Sequence, residues 1–342
     1  MGEALPDPRR RIMSPAAAET PVYSIVIPLF NEEAALPILL HRLEMLLERL
    51  DGPAEVILVD DGSRDTTGIV AAGRARTDPR FRCIRLSRNF GHQVAITAGM
   101  DAARGSATVV MDADLQDPPE VVLELARKWR EGYEVVYAQR SGREGENWLK
   151  KGTAALFYRT LARVAEIDIP MDVGDFRLVD RKALDAFRAM PERDRFVRGM
   201  FGWMGFRQAV VPFRRMPRAA GVTKYPWRRM LRLASDGIVG FSDAPLRAVL
   251  WLGFAISAAA FGFGLFAIGA ALAGSVVPGW ASLAVLLSFL SGVNLTMTGV
   301  VGLYVGRIHN EVKQRPLYVV SEAVGTDSAA AAMPAERARA VR

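Results

Sequence analysis

The chain of 342 residues lacks several features that mark common protein classes. Its one cysteine, Cys83, excludes an internal disulfide and a cysteine-based zinc site. Residues 1–20 contain no apolar stretch of the kind that a signal peptide needs, so we expect a disordered lead-in. We expect the alanine-rich residues 325–342 to form a disordered tail.

Glycine-rich nucleotide-binding motifs are also missing. Residues 28–33, directly after the first predicted strand, read PLFNEE and contain no glycine. A dinucleotide-binding Rossmann domain places GxGxxG at that point. The pattern GxxxxGK[ST] is absent too, which disfavours a P-loop nucleotide hydrolase.

Apolar runs alternate with helical patterns over the first 140 residues. The runs predict strands over 23–29, 55–59, 82–86, 107–111 and 134–137. The patterns between them predict helices over 32–50, 66–76, 94–103 and 119–130. This alternation predicts an α/β fold, a mostly parallel sheet with helices on both faces.

Polar and acidic residues follow each of the first four strands. They lie at 31–33, 60–66, 87–93 and 112–114. Open α/β sheets bind ligands at the carboxyl ends of their strands, so the four groups predict one common binding edge. Asp60 and Asp61 suit the hydroxyl and N–H groups of a nucleoside, whereas Asp65 is expected to cap the helix from Thr66. His92 is either a catalytic base or a structural hydrogen-bond donor.

Asp112 and Asp114 follow the fourth strand two residues apart, just before Pro118 and Pro119. Carboxylate oxygens suit Mg²⁺ or Mn²⁺, which proteins usually hold with one or two carboxylates and the phosphates of a substrate. The pattern therefore favours a metal-assisted diphosphate site. The alternative is that both residues only start a turn and cap the helix from Pro118.

Two long uncharged stretches lie in the last third of the chain, at 248–273 and 276–305. Each exceeds the roughly 20 residues that cross a bilayer. We predict two transmembrane helices within 246–306, at about 248–273 and 278–305, in preference to two buried core helices. Arg247 precedes the first, and Arg307, Lys313 and Arg315 follow the second. Positively charged residues beside membrane spans tend to stay on the cytoplasmic side. We therefore expect domain 21–226, segment 307–324 and both termini to lie in the cytoplasm.

The net charge of +7 has a local explanation. Residues 214–232 contain seven basic residues and no acidic one, directly before the first apolar stretch. Basic residues beside a membrane span are explained by anionic lipid, so we predict no nucleic-acid partner. Within this region, 227–245 predicts an amphipathic helix at the membrane interface, the alternative being an ordinary surface helix.

Five short motifs together resemble one family of enzymes. They are 28–33 (PLFNEE), 59–65 (VDDGSRD), 88–93 (RNFGHQ), 111–119 (MDADLQDPP) and 172–177 (DVGDFR). Their order resembles family 2 glycosyltransferases of the GT-A fold, specifically the polyprenyl-phosphate glycosyltransferases related to dolichyl-phosphate mannose synthase. The likeness runs over 22–320 and includes 241–247 (FSDAPLR) and 304–307 (YVGR).

This resemblance implies a reaction. It is inverting transfer of a sugar from a nucleotide diphosphate to the phosphate of a membrane polyprenol. The donors used within the resembling group are UDP-glucose, UDP-N-acetylhexosamine, GDP-mannose and UDP-aminoarabinose derivatives.

The resemblance also implies roles for individual residues. Asp60 would contact the nucleoside, and Asp112 would be oriented toward the ribose and the metal. Asp114 and Gln116 would be the ligands of Mg²⁺ or Mn²⁺, and Arg140 would meet phosphate groups. The predicted nucleotide-sugar-binding set is Pro28, Asn31, Glu33, Asp60, Asp61, Arg88 and Asp112.

A phosphate acceptor is anionic near pH 7, because its second pKa is about 6. It therefore needs cations more than a strong base. The candidate cations are Arg140, Lys150, Lys151 and Arg177. Asp175 is the best carboxylate for base or orienting work beside Asp112 and Asp114, and the alternative is that it only pairs with Arg177.

The alanine- and arginine-rich composition suggests a bacterium, and so undecaprenyl phosphate in the inner membrane and a product for cell-envelope glycan or lipid modification. Self-association of the hairpin is predicted from its small residues, Gly262, Gly264, Gly269 and Ala273. Two other functions are weighed. A non-catalytic scaffold would tolerate loss of Asp114 or Gln116, and a processive polysaccharide synthase would need more spans and a QxxRW motif, which is absent.

Overall fold

A computed structural model describes residues 20–140, 173–193, 195–214, 244–273 and 279–325. The strands in these ranges are β1 (Tyr23–Leu29), β2 (Ala54–Asp60), β3 (Phe81–Leu86), β4 (Ala107–Val110), β5 (Val135–Arg140), β6 (Val173–Asp180), β7 (Gln208–Phe213) and β8 (Val320–Val324). The helices are α1 (Leu36–Arg49), α2 (Thr67–Thr77), α3 (His92–Ala102), α4 (Val121–Arg130), α5 (Arg181–Ala189), α6 (Val197–Trp203), α7 (Ala244–Leu272) and α8 (Trp280–Val312).

The described strands form one sheet in the order β7-β5-β6-β4-β1-β2-β3-β8. Of its seven neighbouring pairs, four are parallel and three antiparallel. The predicted mostly parallel α/β sheet is thus confirmed. One difference is that β6 lies between β4 and β5 and runs antiparallel to both.

Helices cover both faces of the sheet, as predicted. Successive strand residues alternate between the two faces, so Ile25 and Ile27 join one core and Val26 the other. The first core is completed by α1, α2 and α4, and the second by α3, α5 and α6. Cys83 lies in the first core, where burial raises the pKa of its thiol to about 12.

The first helix begins later than the sequence predicts. Residues 30–35 form a turn in which Asn31 has a φ of 56°, a left-handed conformation. The backbone N–H of Glu32 donates to Thr67 Oγ1 at 2.8 Å, so this segment bonds across to the next loop instead of starting a helix. Helix α1 then starts at Leu36, next to Pro37.

Helices α7 and α8 contain segments long and apolar enough to cross a membrane, Leu246–Phe266 and Phe289–Val312. Neither segment is buried within the protein. Helix α8 continues past the predicted end at 305, and the chain turns only at Gln314, whose φ is 46°. The hairpin tip at 274–278, the predicted interfacial helix up to residue 243, and the predicted disordered ends over 1–19 and 326–342 lie outside the described residues.

After α8 the chain returns to the sheet, which the sequence analysis does not predict. Strand β8 pairs antiparallel with β3. The buried Tyr318 donates its hydroxyl to Asp101 Oδ2 at 3.1 Å, and the backbone N–H of Arg193 donates to Glu311 Oε1 at 2.8 Å. The end of the second apolar helix is therefore tied to the α/β domain.

Candidate active site

The loops after β1 and β2 are bonded to each other at the carboxyl edge of the sheet. Asn31 Oδ1 accepts from the backbone N–H of Arg64 at 2.9 Å, and Glu33 Oε2 accepts from Thr66 Oγ1 at 3.0 Å. Asp65 Oδ1 accepts from the N–H of Thr67, the first residue of α2, at 3.0 Å. This contact closes a turn just before the helix, whose N-cap residue is Thr66, so Asp65 lies one residue outside the cap position predicted for it.

Asp60 and Asp61, the predicted nucleoside contacts, are both buried. Asp60 Oδ1 accepts from the N–H of Ser63 at 2.9 Å, and its Oδ2 lies 3.1 Å from Arg85 Nε. In the structure Asp60 therefore shapes the loop after β2, and its contact with a nucleoside stays a prediction.

Asp61 holds the next loop. It accepts from the backbone N–H groups of Phe90 at 2.7 Å and Gly91 at 2.9 Å. Burial raises the pKa of Asp61, and these two hydrogen bonds offset part of that rise. Gly62, with a φ of 68°, allows the close approach, because a Cβ there would come within 2.5 Å of the carbonyl carbon of Arg88.

Asp112 and Asp114 lie on the loop that follows β4. Leu115 has a φ of 60°, a conformation that costs a residue with a Cβ about 1–2 kcal/mol. Just after it, the N–H of Gln116 donates to Asp114 Oδ1 at 3.1 Å. A turn is thus present, but neither aspartate caps α4, whose N-cap residue is Glu120.

The donor atoms of this loop fit a divalent ion that is only partly held by protein. Within the described residues, no group of three or more His, Cys, Asp or Glu side chains could hold a metal. Asp114 and Gln116 supply one carboxylate and one amide oxygen, a set that suits Mg²⁺ or Mn²⁺ when substrate phosphates complete the coordination.

A second polar group lies beside this loop and is centred on Asp175 of β6. Arg198 of α6 donates to both carboxylate oxygens, from Nε at 2.9 Å and from Nη2 at 3.0 Å. Arg177 Nη2 donates to Oδ1 at 3.1 Å, and Gln93 Nε2 donates to Oδ2 at 3.2 Å. We call Asp175, Arg177, Arg198, Gln93 and His92 the Asp175 cluster. The predicted ion pair between Asp175 and Arg177 is confirmed.

His92 connects the Asp175 cluster to the loop after β4. Its Nε2 lies 3.3 Å from Asp175 Oδ2 and 3.4 Å from Asp112 Oδ1. Burial lowers the pKa of His92, but the hydrogen bond to Asp175 and the two negative charges raise it above its ordinary value overall. Loss of hydration raises the pKa of Asp112. A histidine that favours its charged form suits the role of a structural donor better than that of a base.

Asp175 favours its ionised form. Burial acts to raise its pKa, but the charge of Arg198 and hydrogen bonds from His92 and Arg198 outweigh it. The pKa of Asp175 therefore lies well below the ordinary value of an aspartate. A carboxylate of this kind is a weak proton acceptor near neutral pH.

Arg177 requires a correction to its predicted contact with an acceptor phosphate. It is fully buried, with its guanidinium carbon 5.4 Å from the centre of the Tyr137 ring and 5.3 Å from that of Phe201. Its Nη2 also donates to the carbonyl oxygen of Gly174 at 3.2 Å. Arg177 thus supports Asp175 from inside the protein and has no surface to offer a substrate.

The other predicted cations are placed differently. Arg140 ends β5 beside Gly174, where a Cβ would come within 3.1 Å of Arg140 Nη2. Arg88 is exposed, with its guanidinium carbon 4.0 Å from the centre of the Phe90 ring. Lys150 and Lys151 lie outside the described residues.

The sequence analysis missed Arg198, and it placed Gln93 at the binding edge without a role of its own. Pro28, which was predicted to bind the nucleotide sugar, is buried in β1. It lies three residues before Asn31, close to the carboxyl edge of the sheet. The signal that could have identified Arg198 is weak. It is one charged residue inside the otherwise uncharged run 197–203 (VRGMFGW).

Comparisons with known proteins identify the family. A model described as "Glycosyl transferase family 2" matches residues 24–188. The chain is 47% identical over 307 residues to the uncharacterized glycosyltransferase YkcC of Bacillus subtilis (strain 168), which covers 90% of this chain and 95% of that protein. The chain belongs to glycosyl transferase family 2. The predicted family is thereby confirmed.

Two further similarities concern proteins whose names state what they act on. Over 300 residues, the chain is 38% identical to the bactoprenol glucosyl transferase of Shigella phage SfII, covering 87% of this chain and 97% of that protein. A solved glucosyl-3-phosphoglycerate synthase from Mycobacterium tuberculosis, with Mn²⁺, UDP-glucose and phosphoglyceric acid, is 19% identical. Its TM-score is 0.44 over 64% of this chain and 78% of that chain.

Proposed function

We propose that this family 2 protein transfers glucose from UDP-glucose to the phosphate of a membrane polyprenol, with inversion at the sugar carbon. The observation that carries the proposal is the similarity to a bactoprenol glucosyl transferase over 87% of this chain. A match of that extent takes in the α/β domain and reaches the apolar helices. UDP-N-acetylhexosamine and GDP-mannose are the alternative donors.

On the donor side, the proposal assigns the loop after β4 to the nucleotide diphosphate. Asp114 and Gln116 would hold Mg²⁺ or Mn²⁺, which when bound supplies Lewis-acid stabilisation of the leaving diphosphate. Asp112, partly exposed beside His92, would accept hydrogen bonds from the ribose. The bonded loops that carry Asn31, Glu33 and Asp61 would form the wall around the nucleoside.

On the acceptor side, a phosphate oxygen would attack the anomeric carbon of the sugar while the bond from that carbon to the UDP oxygen breaks. The acceptor phosphate is already anionic, so the step needs no strong base. It needs cations that let two anions approach each other. Arg140, at the end of β5 and against Gly174 of β6, would supply one of them.

The two apolar helices fit this assignment, because the acceptor is a lipid. We propose that α7 and α8 span the bacterial inner membrane and that the α/β domain and both termini lie in the cytoplasm. Arg247 near the start of α7 and Arg307 near the end of α8 support this orientation through the positive-inside rule. Residues 227–245 would then lie along the membrane surface.

The experiment that tests the proposal is a donor screen. Purified protein in detergent is incubated with undecaprenyl phosphate, Mg²⁺ or Mn²⁺, and each labelled nucleotide sugar, and label extracted into organic solvent is counted. We expect UDP-glucose to give an extractable product that disappears with EDTA or without the lipid. Absence of product with every donor, from protein that still unfolds cooperatively, would contradict the proposal.

A further inference from the structure

Arg85 of β3 lies beside Asp60, the aspartate that ends β2. The two residues are paired in the register of the sheet, so their side chains point to the same face. Arg85 Nε lies 3.1 Å from Asp60 Oδ2. The side chain of Asp60 is fully buried, whereas that of Arg85 is 39% exposed. A carboxylate that has lost its water in this way needs a cation beside it.

A second carboxylate, that of Glu322 in β8, lies on the other side of Arg85. Glu322 is paired with Arg85 in the register of β3 and β8. It accepts a hydrogen bond from Arg76 Nη2 of α2 at 3.0 Å, and both side chains of that pair are exposed. Glu322 thus has a cation of its own. The exposed pair of Arg76 and Glu322 is therefore a natural comparison for the buried carboxylate of Asp60 and its partner.

Gly68 leaves room for the pair of Asp60 and Arg85. It is the second residue of α2 and is buried. A Cβ at this position would come within 2.5 Å of Asp60 Oδ2 and 3.4 Å of Arg85 Nε. Gly73 lies in the same helix, and a Cβ there would meet nothing within 4 Å. Because glycine weakens a helix relative to alanine, the glycine at position 68 is explained by the space that the pair occupies.

Asp60 extends this contact to the loops at the carboxyl edge of the sheet. Its other oxygen, Oδ1, accepts from the backbone N–H of Ser63 at 2.9 Å. Ser63 Oγ in turn accepts from the backbone N–H of Asn31 at 3.0 Å. Arg85 is therefore connected through one carboxylate to the loops after β1 and β2, where the proposed function places the wall around the nucleoside.

We infer that Arg85 is a positioning residue for the nucleotide donor. By holding Asp60, it fixes Ser63 and Asn31 before the nucleoside arrives, so that less ordering of these loops is needed on binding. Arg85 acts through Asp60 and makes no contact with the ligand in this role. The inference rests on the proposed function and extends it to a residue of β3 that the sequence analysis leaves without a role.

Binding of UDP in the presence of Mg²⁺ tests the inference without any transfer step. Isothermal titration calorimetry on the full chain in detergent gives the Kd. Arg85→Ala is expected to raise the Kd for UDP about tenfold, the size of one lost charge-assisted contact. Arg85→Lys keeps the charge on a different head group, so its Kd should fall between those of Arg85→Ala and the wild type. Arg76→Ala removes an exposed ion pair on the same face and should change the Kd by less than about twofold.

Two glycine variants of α2 test the pair without removing a charge. Gly68→Ala should raise the Kd for UDP several-fold, because its methyl group displaces Asp60 Oδ2. Gly73→Ala is the matched control and should leave the Kd unchanged. Thermal unfolding is measured for every variant, because Arg85→Ala leaves a buried carboxylate without its partner. Gly68→Ala keeps the test decisive if Arg85→Ala does not fold.

Steady-state kinetics separate positioning of the donor from general damage. In Arg85→Ala and Gly68→Ala the KM for UDP-glucose should rise together with the Kd for UDP. The KM for undecaprenyl phosphate and the kcat at saturating donor should stay within about twofold of the wild-type values.

An unchanged Kd for UDP in folded Arg85→Ala or Gly68→Ala would overturn the inference. An equal rise in Arg76→Ala or Gly73→Ala, or a rise in the acceptor KM alone, would overturn it too. Failure of the proposed function looks different, because the wild type would then form no lipid-linked sugar from UDP-glucose. If the wild type binds GDP in place of UDP, the proposed donor is wrong and the same variants are compared by their Kd for GDP. A wild type that binds neither nucleotide would contradict both.

Discussion

Two clusters that each contain a buried carboxylate between two arginines lie at opposite ends of the sheet. At the amino end of β2, Glu55 Oε2 accepts from Arg82 at 2.9 Å and from Arg104 Nη2 at 2.9 Å. At the carboxyl edge, Asp175 accepts from Arg177 and Arg198. Each cluster has one buried carboxylate, one enclosed arginine and one partly exposed arginine, the last being 43% exposed in Arg104 and 26% in Arg198.

The two clusters differ in the groups that surround them. Glu55 also accepts from Ser24 Oγ at 2.7 Å and from the backbone N–H of Arg104 at 2.8 Å, and Arg82 donates to the carbonyl of Ala102 at 2.8 Å. These contacts all bind one part of the fold to another. The Asp175 cluster instead touches Asp112 through His92. The two clusters thus differ in position, because only the Asp175 cluster adjoins the loop that carries Asp112.

The largest effect should come from the carboxyl edge. We expect Asp114→Ala to lower sugar transfer about 10³-fold or more, because stabilisation of the leaving diphosphate is lost. Thermal unfolding should change little. Asp185→Ala, an exposed aspartate on α5, is the matched control and should keep full activity. Full turnover in Asp114→Ala would remove the metal assignment.

The next largest effect should come from the opposite end of the sheet, where a substitution should lower stability and leave activity unchanged. Glu55→Gln leaves the buried Arg82 without its partner, so the free energy of unfolding should fall by about 3–5 kcal/mol. The kcat and both KM values of the folded protein should be unchanged. Chemical denaturation measures the loss, with Glu124→Gln on the surface of α4 as the control. A variant that is stable but inactive would show that the two ends are not separate.

Acid should weaken both clusters in the same direction. Burial acts to raise the pKa of Glu55, but the hydrogen bond from Ser24 and the charge of Arg82 lower it overall, and the pKa of Asp175 lies well below its ordinary value. A depressed folded-state pKa gives stability that is present above the unfolded pKa, about 4, and is lost as the pH falls below it. We expect the melting temperature to be level from about pH 7 to 5 and to fall in stronger acid. The fall in melting temperature should be smaller in Glu55→Gln than in the wild type. An equal fall would contradict the assignment of part of the acid sensitivity to Glu55.

The smallest effect concerns the return of the chain from α8. Tyr318→Phe removes a buried hydrogen bond to Asp101 and should lower the free energy of unfolding by about 1 kcal/mol. Transfer activity at 25 °C should be unaffected, because the pair lies away from the loop after β4. Denaturant titration measures the change. A loss of activity without a loss of stability would instead link β8 to the site.

Local patterns were sufficient to predict the first half of the domain. Strand β1 has the predicted bounds, and β2, β3 and β4 differ by one residue at their ends. Their apolar residues are buried on both faces, and loops with turn residues separate them. The apolar runs and the turn residues therefore predict the same strand boundaries. The loop after β4 was identified for the same reason, since Asp112 and Asp114 directly follow a buried strand.

Other features depend on contacts between distant parts of the chain. Strand β6 inserts antiparallel between β4 and β5, and β8 joins β3 from beyond both apolar helices. The pattern of apolar residues within one segment does not predict which distant strand it pairs with. Arg177 and Arg198 show the same limit within the site, because which arginine is enclosed depends on Tyr137 and Phe201, which come from other elements.

Product analysis tests the central claim most directly. Wild-type protein is incubated with UDP-glucose, undecaprenyl phosphate and Mg²⁺, and both products are identified by mass spectrometry. The account predicts undecaprenyl phosphate that has gained one hexose, together with free UDP. Release of UMP with a lipid diphosphate sugar, or UDP formed without any change in the lipid, would contradict it.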